Sequence, residues 1–117
     1  MLDKINRYSL LFDFYGGLLT ERQQEFFDLY YHQDWSLGEI ADYFQISRPA
    51  VHDLIKRVEK QLDNYEEKLR LVEKFVQIDA NLLCLLENIN NISLEAGNSE
   101  LLKLRMKIEE IIKLVRE

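Results

Sequence analysis

Apolar residues recur at three- and four-residue steps through most of the chain, interrupted by short polar or glycine-bearing stretches. That spacing predicts a run of amphipathic helices. The first helix is expected from Asp3 to Tyr15, with Ile5, Tyr8, Leu11, Phe12 and Tyr15 on one face and Gly16-Gly17 as its stop. Thr20 opens a second helix, and Gln23, three residues on, completes a T-x-x-Q capping box. Phe26, Phe27, Tyr30 and Tyr31 follow, and the helix should end near Gln33-Asp34. Ser36 with Glu39 repeats the capping-box spacing and starts a short third helix carrying Ile40, Ala41 and Phe44. Ser47 then caps a fourth helix, whose first turn holds Pro49, where a missing N–H is harmless.

The fourth helix shows no stop for a long way. Val51, Ile55, Val58, Leu62, Tyr65, Leu69, Val72 and Val76 alternate four- and three-residue steps, the signature of a heptad seam. One helix from Arg48 to Val76 would span roughly 43 Å at about 1.5 Å per residue. Phe75, Ile78, Leu82, Leu85, Leu86 and Ile89 continue the apolar face to about Asn91, with a bend or break expected near Asp79. Gly97-Asn98-Ser99 is the clearest late punctuation, and a last helix carries Leu101, Leu104, Ile108, Ile111 and Val115 in heptad steps. Something must bury so long a seam. A homodimer through Ile55, Val58, Leu62, Tyr65, Leu69, Val72 and Val76 is the preferred expectation; the alternative is a monomer whose last two helices close the seam.

Composition narrows the class. The 117 residues include four glycines and one proline, and 47% are hydrophobic. The chain is therefore neither a collagen-like nor a flexible-linker sequence, and it is long enough to build a core without metal or disulfide staples. The expected fold is all-α: a helix-turn-helix domain over residues 1–60, then a long helix and a C-terminal helical extension over 61–117. No run approaches the 18 or so apolar residues of a membrane span, and the N-terminus lacks the pattern of a secretory signal. Cys84 is the one cysteine. It cannot form an internal disulfide and is expected to be a small core residue in a reduced, cytoplasmic protein.

The segment Ser36 to Arg57, SLGEIADYFQISRPAVHDLIKR, carries the functional argument. Two capped helices are separated by about three residues, Gln45-Ile46-Ser47. Ala41 supplies the small residue where two such helices touch, and Leu37, Ile40, Phe44, Ile46, Val51 and Leu54 supply the apolar anchors. Gln45 stands where many such turns use glycine; a left-handed conformation there would cost roughly 1–2 kcal/mol. Phe26, Phe27, Tyr30, Tyr31, Trp35 and Phe44 are expected to form the small core under the motif, each ring burying about 150–250 Å².

This segment resembles the region-4 helix-turn-helix of bacterial sigma factors, particularly in I-A-x-x-F-x-[IV]-S-R. Over about the first 75 residues the chain is similar to the YlxM family of small bacterial helix-turn-helix proteins. The matching stretches are Leu19-Thr20-Glu21-Arg22-Gln23, Tyr30-Tyr31, Asp34-Trp35-Ser36-Leu37, Glu39-Ile40-Ala41, Ser47-Arg48-Pro49-Ala50-Val51 and Tyr65-Glu66-Glu67-Lys68-Leu69. The resemblance implies a cytoplasmic regulatory protein associated with the signal recognition particle pathway, whose components would be its partners.

Charge locates the contact surface. The chain carries a net charge of −6, the wrong sign for a bulk polyanion binder. Residues 1–46 sum to −5 and residues 61–117 to −3, whereas residues 47–60 sum to +2. The positive segment coincides with the expected recognition helix, as phosphate attraction requires. The DNA-binding candidates are Ser47, Arg48, Ala50, His52, Lys56, Arg57 and Lys60. Ser47 and the free N–H groups at the helix start would bind phosphate. Arg48 and His52, four apart, would reach base edges, and Lys56, Arg57 and Lys60 would hold the backbone. The plainer reading is that these are solvated helix residues, with Arg48 paired to a neighbouring acid. Pro49 and Asp53 depart from the sigma-like pattern, since proline donates nothing and an aspartate repels phosphate.

The familiar phosphate-loop, dinucleotide, zinc-protease, nucleophile-elbow and C-x-x-C motifs are absent. Glu66-Glu67 and Glu109-Glu110 are adjacent on helices and diverge. The expectation is a non-enzyme without metal or cofactor, either a DNA-binding regulator or a protein- or RNA-binding adaptor of the signal recognition particle.

Overall fold

The computed structural model of the chain describes residues 4–96 and 99–116. The fold is all-α, and among the described residues there is no strand. The helices are α1 (Lys4–Tyr15), α2 (Glu21–Tyr31), α3 (Leu37–Phe44), α4 (Arg48–Leu69), α5 (Leu71–Ala96) and α6 (Ser99–Arg116), with one 3-10 turn at Gly16–Leu18. Asp3, Gly97 and Asn98, and the side chain of Ile5, lie outside the described residues. The chain divides into two compact units, Met1–Val72 and Glu73–Glu117. The first unit takes in the whole of α4, whose Val51, Ile55, Val58 and Leu62 belong to its core.

Each start signal read from the sequence operates as expected. Thr20 Oγ1 accepts the Gln23 N–H at 3.1 Å while Gln23 Oε1 accepts the Thr20 N–H at 3.0 Å. Ser36 and Glu39 make the same reciprocal pair at 3.1 and 3.0 Å. Ser47 Oγ accepts the Ala50 N–H at 3.2 Å. Each cap satisfies N–H groups that the first helical turn leaves without partners. α3 ends on Gln45 in the left-handed region at φ 58°, where the Gln45 and Ile46 N–H groups both point to the Ala41 carbonyl.

α4 is the hub of the first unit, with α1, α2 and α3 all packed against it. Phe26, Phe27, Ile40, Val51, Val58 and Leu62 are completely buried, with Leu11, Tyr15 and Ile55 nearly so. Tyr30, Trp35 and Phe44 are partly buried against them, so the aromatic cluster is the expected core. Phe26 stacks on Phe44 with centroids 4.3 Å apart, tying α2 to α3.

Three sequence expectations are corrected. The helix does not run unbroken to Val76, and the break is not near Asp79. Arg70 adopts φ 55° and ends α4, and α5 begins at the next residue. The Tyr15 hydroxyl accepts the Leu71 N–H at 3.0 Å, and Glu66 Oε1 accepts the Val72 N–H at 3.1 Å. These tertiary partners stabilise a new helix start that no local sequence signal marks. Second, the dimerisation seam is largely intramolecular. Ile55, Val58 and Leu62 are sealed in the chain's own core, Tyr65 meets Tyr15 at a tilt with ring centroids 5.9 Å apart, and Val72 packs on the same cluster. Only Leu69 and Val76 of that set are substantially exposed. Third, Cys84 is exposed on α5 rather than in a core.

The acids Glu59, Asp63 and Glu66 line one edge of α4, and each meets a tyrosine. Tyr31 donates to the buried Glu59, Tyr8 donates to Asp63 at 2.7 Å, and Tyr15 donates to Glu66 at 2.6 Å. Arg7 adds an ion pair to Asp63 at 2.5 Å, and Lys56 approaches Glu59 at 3.3 Å. Burial, and then the carboxylate bonded to each ring, raise all three tyrosine pKa values; Tyr8 is pushed up to about 12.

Three measurements follow from this packing. Tyr31→Phe deprives the Glu59 carboxylate of a donor in a buried setting, and urea unfolding should show a loss of about 2 kcal/mol; an unchanged midpoint would remove the pair from the stabilising set. At high pH the unfolded chain loses its tyrosine protons near pH 10 while folded Tyr8 holds its proton to about 12. The tyrosine contribution to stability should therefore be constant below pH 10 and fall from there toward pH 12, and the fall should shrink in Tyr8→Phe. Gln45→Gly should raise stability by roughly 0.5–1 kcal/mol, because glycine enters the left-handed region without steric cost.

Candidate nucleic-acid interface

The helix-turn-helix consists of α3, the turn 45–47 and the first half of α4. Its internal face is fixed by Ile40, Ala41, Val51 and Ile55, all buried, with Leu37, Phe44, Ile46 and Leu54 packed around them. At about 100° per residue, burying Val51, Ile55 and Val58 turns the opposite arc of α4 outward. Ser47, Arg48, Ala50, His52, Lys56, Arg57 and Lys60 are all exposed, as are Pro49 and Asp53. The seven nominated residues thus share one accessible stretch of helix.

Their charges are not equally available. Among the described residues, Arg48, Arg57 and Lys60 make no ion pair; no neighbouring acid takes Arg48. Lys56 is held by Glu59, so part of its charge is spent inside the protein. Asp53 is 75% exposed at the side chain, and its carboxylate lies 3.6 Å from His52 Nδ1. The helix start therefore presents exposed cations together with an exposed acid.

Glu59 is the residue the sequence reading missed. It was counted only as a negative charge, yet it anchors Lys56 on the outer side and Tyr31 on the inner side. Its position carried the signal: four residues after Ile55 and three before Leu62, it falls on the spacing of the buried face. The shallow hollow formed by Gln61, Asn64, Tyr65 and Lys68 lies farther along α4. Among the described residues no group of acids, histidines and cysteine is arranged to hold a metal ion, and no helix is long and apolar enough to cross a membrane.

Comparison with known proteins places the sequence in a family. Residues 2–111 match the family model described as "Putative helix-turn-helix protein, YlxM / p13 like". A UPF0122 protein of Acetivibrio thermocellus is 46% identical over 116 residues, covering 99% of both chains. A second, from Halalkalibacterium halodurans, is 46% identical over 111 residues, covering 95% of this chain and 99% of its own. A third, from Oceanobacillus iheyensis, is 56% identical over 77 residues, covering 66% of this chain and 73% of its own. With capped helices, turn and core all in the motif's arrangement, the chain belongs to the UPF0122 family of YlxM/p13-like helix-turn-helix proteins.

Proposed function

We propose that the protein is a cytoplasmic DNA-binding regulator that lays the first half of α4 in a major groove. The observation that carries this reading is the coincidence of the net-positive segment, residues 47–60, with the outward arc of a helix-turn-helix second helix. In this reading Ser47 and the N-terminal turn of α4 meet a phosphate. Arg48 and His52 reach base edges, and Arg57 and Lys60 grip the backbone, with Lys56 contributing less because Glu59 holds it. Ala50 leaves room for close approach of the helix to a base edge. No catalytic role is assigned, and no cofactor is required.

A second reading rests on Asp53. Its exposed carboxylate in the middle of this arc suits a partner without a phosphate backbone, such as a protein component of the signal recognition particle.

Fluorescence anisotropy with duplex DNA at low salt separates the two. The regulator reading expects binding at micromolar protein or below, weakening steeply with salt. Lys60→Ala should reduce the log–log salt slope by about 1, and Arg48→Ala should weaken binding roughly tenfold, the effect of about 1.4 kcal/mol. Asp53→Asn should tighten binding several-fold by removing a repulsion. Absence of any DNA complex, together with particle-protein binding indifferent to Arg48→Ala, would reverse the assignment.

A further inference from the structure

The second unit, Glu73–Glu117, pairs α5 with an antiparallel α6. Arg116 donates to Asp79 at 2.7 and 3.1 Å, and Arg105 donates to Asn90 at 3.4 Å. These polar pairs close one side of the hairpin. Val76 and Leu83 on α5 and Leu102 on α6 lie toward that side and are 43–47% exposed, interrupted by the polar pairs; the other side is apolar without such pairs. Phe75, Leu82, Leu86 and Ile89 on α5, and Leu101, Ile108, Ile112 and Val115 on α6, are the better-covered apolar residues, and Phe75, Leu82 and Ile89 with Leu101, Ile108 and Val115 mark a seven-residue line on the side each helix turns to the other. Ile78, Leu85 and Ile92 form a seven-residue-spaced stripe displaced from that line on α5, and Leu104 and Ile111 form one on α6. Both stripes are displaced in the same rotational sense. Because the helices run in opposite directions, equal senses of rotation place both stripes on the same side of the hairpin, away from the arginine pairs.

The five residues are between 37% and 52% exposed. Among the described residues of this unit Leu82 alone is buried, and α6 has no buried residue. A helical hairpin with so small an interior needs a cover for its apolar side. The five side chains leave on the order of 400 Å² of apolar surface open, an area monomers seldom expose. The half-covered residues beside them extend the strip toward the roughly 800 Å² per partner that a stable dimer buries.

We propose that this strip is the self-association surface of the protein and that a second copy of the chain covers it. The seam continues in heptad steps on both helices, so two hairpins related by a two-fold axis place four helices round one interior. The described side chains bordering the strip suit an identical partner: Lys74, Asn81 and Asn88 on α5, and Glu100 and Lys107 on α6, sum to +1. An otherwise acidic chain therefore meets itself along an edge with no wall of acids. The surface differs from the α4 seam expected from sequence, and the inference does not depend on the DNA-binding reading.

Light scattering and sedimentation of the full chain should give twice the 14.0 kDa chain mass, with the monomer appearing on dilution. Leu85→Glu and Leu104→Glu should each weaken association at least tenfold while retaining the helical circular dichroism. Leu83→Glu, on the opposite flank of α5, should leave it unchanged. As a second measurement, Asn81→Cys in a Cys84→Ser background, spin-labelled, should show dipolar coupling between chains, and needs no charge in the strip. A mass of 14.0 kDa at every concentration, an assembly indifferent to Leu85→Glu and Leu104→Glu, or absence of inter-chain coupling would overturn the proposal.

Discussion

Glu59, Asp63 and Glu66 stand along one edge of α4, each bonded to a tyrosine hydroxyl of α1 or α2. Apolar packing alone would leave the rotation of α4 loosely specified, because hydrophobic contact has no direction. A hydrogen bond does have one. A turn of α4 by a single residue position, about 100°, would remove all three carboxylates from their donors and leave the buried Glu59 unsatisfied. The cost of stranding a buried charge exceeds what small repacking could recover. The azimuth of α4 is thus fixed by polar pairs, while its depth in the fold is fixed by Val51, Ile55, Val58 and Leu62.

That azimuth matters at the other end of the same helix. Arg48 and His52 precede Glu59, Asp63 and Glu66 on nearly the same edge, at steps of four, seven, four and three residues. Where α1 and α2 cover the edge, it carries acids bonded to tyrosines. Where they do not, it carries the exposed start of the helix-turn-helix second helix. The core pairs therefore set the direction in which Arg48 and His52 project. Glu59 links the two regions, since Tyr31 meets it from the interior and Lys56 from the surface.

Much of this was legible in the sequence because it is local. The two capping boxes, the Ser47 cap and the placement of Pro49 depend on residues within one turn, and each has the geometry its spacing predicts. The helix-turn-helix and its aromatic core were readable for the same reason. The break at Arg70 was not, because arginine is no marker for the left-handed region and the groups that stabilise the new start come from Tyr15 and Glu66. The reading of one long seam failed with it. A heptad pattern reports that a face is apolar, not which neighbour covers it, and α1 to α3 cover Ile55, Val58 and Leu62 within the chain. Cys84 was misplaced because a small apolar side chain is compatible with either side of a helix.

The charge distribution follows from the same division of labour. An acidic chain cannot attract a polyanion over its whole surface, so any contact with phosphate must be local and oriented. Pairing removes acids from the effective field: Asp63 is offset by Arg7, and Glu59 by Lys56. It also removes Lys56 from the pool of free cations, leaving Arg48, Arg57 and Lys60 to act outward. Within residues 47–60 Asp53 is the exception, an exposed acid beside a histidine. Three cations against one acid give a modest attraction that depends on orientation. The tyrosine-bonded acids of α4 enforce that orientation, so the polar edge of the core is also what makes a weakly charged helix start usable as a contact surface.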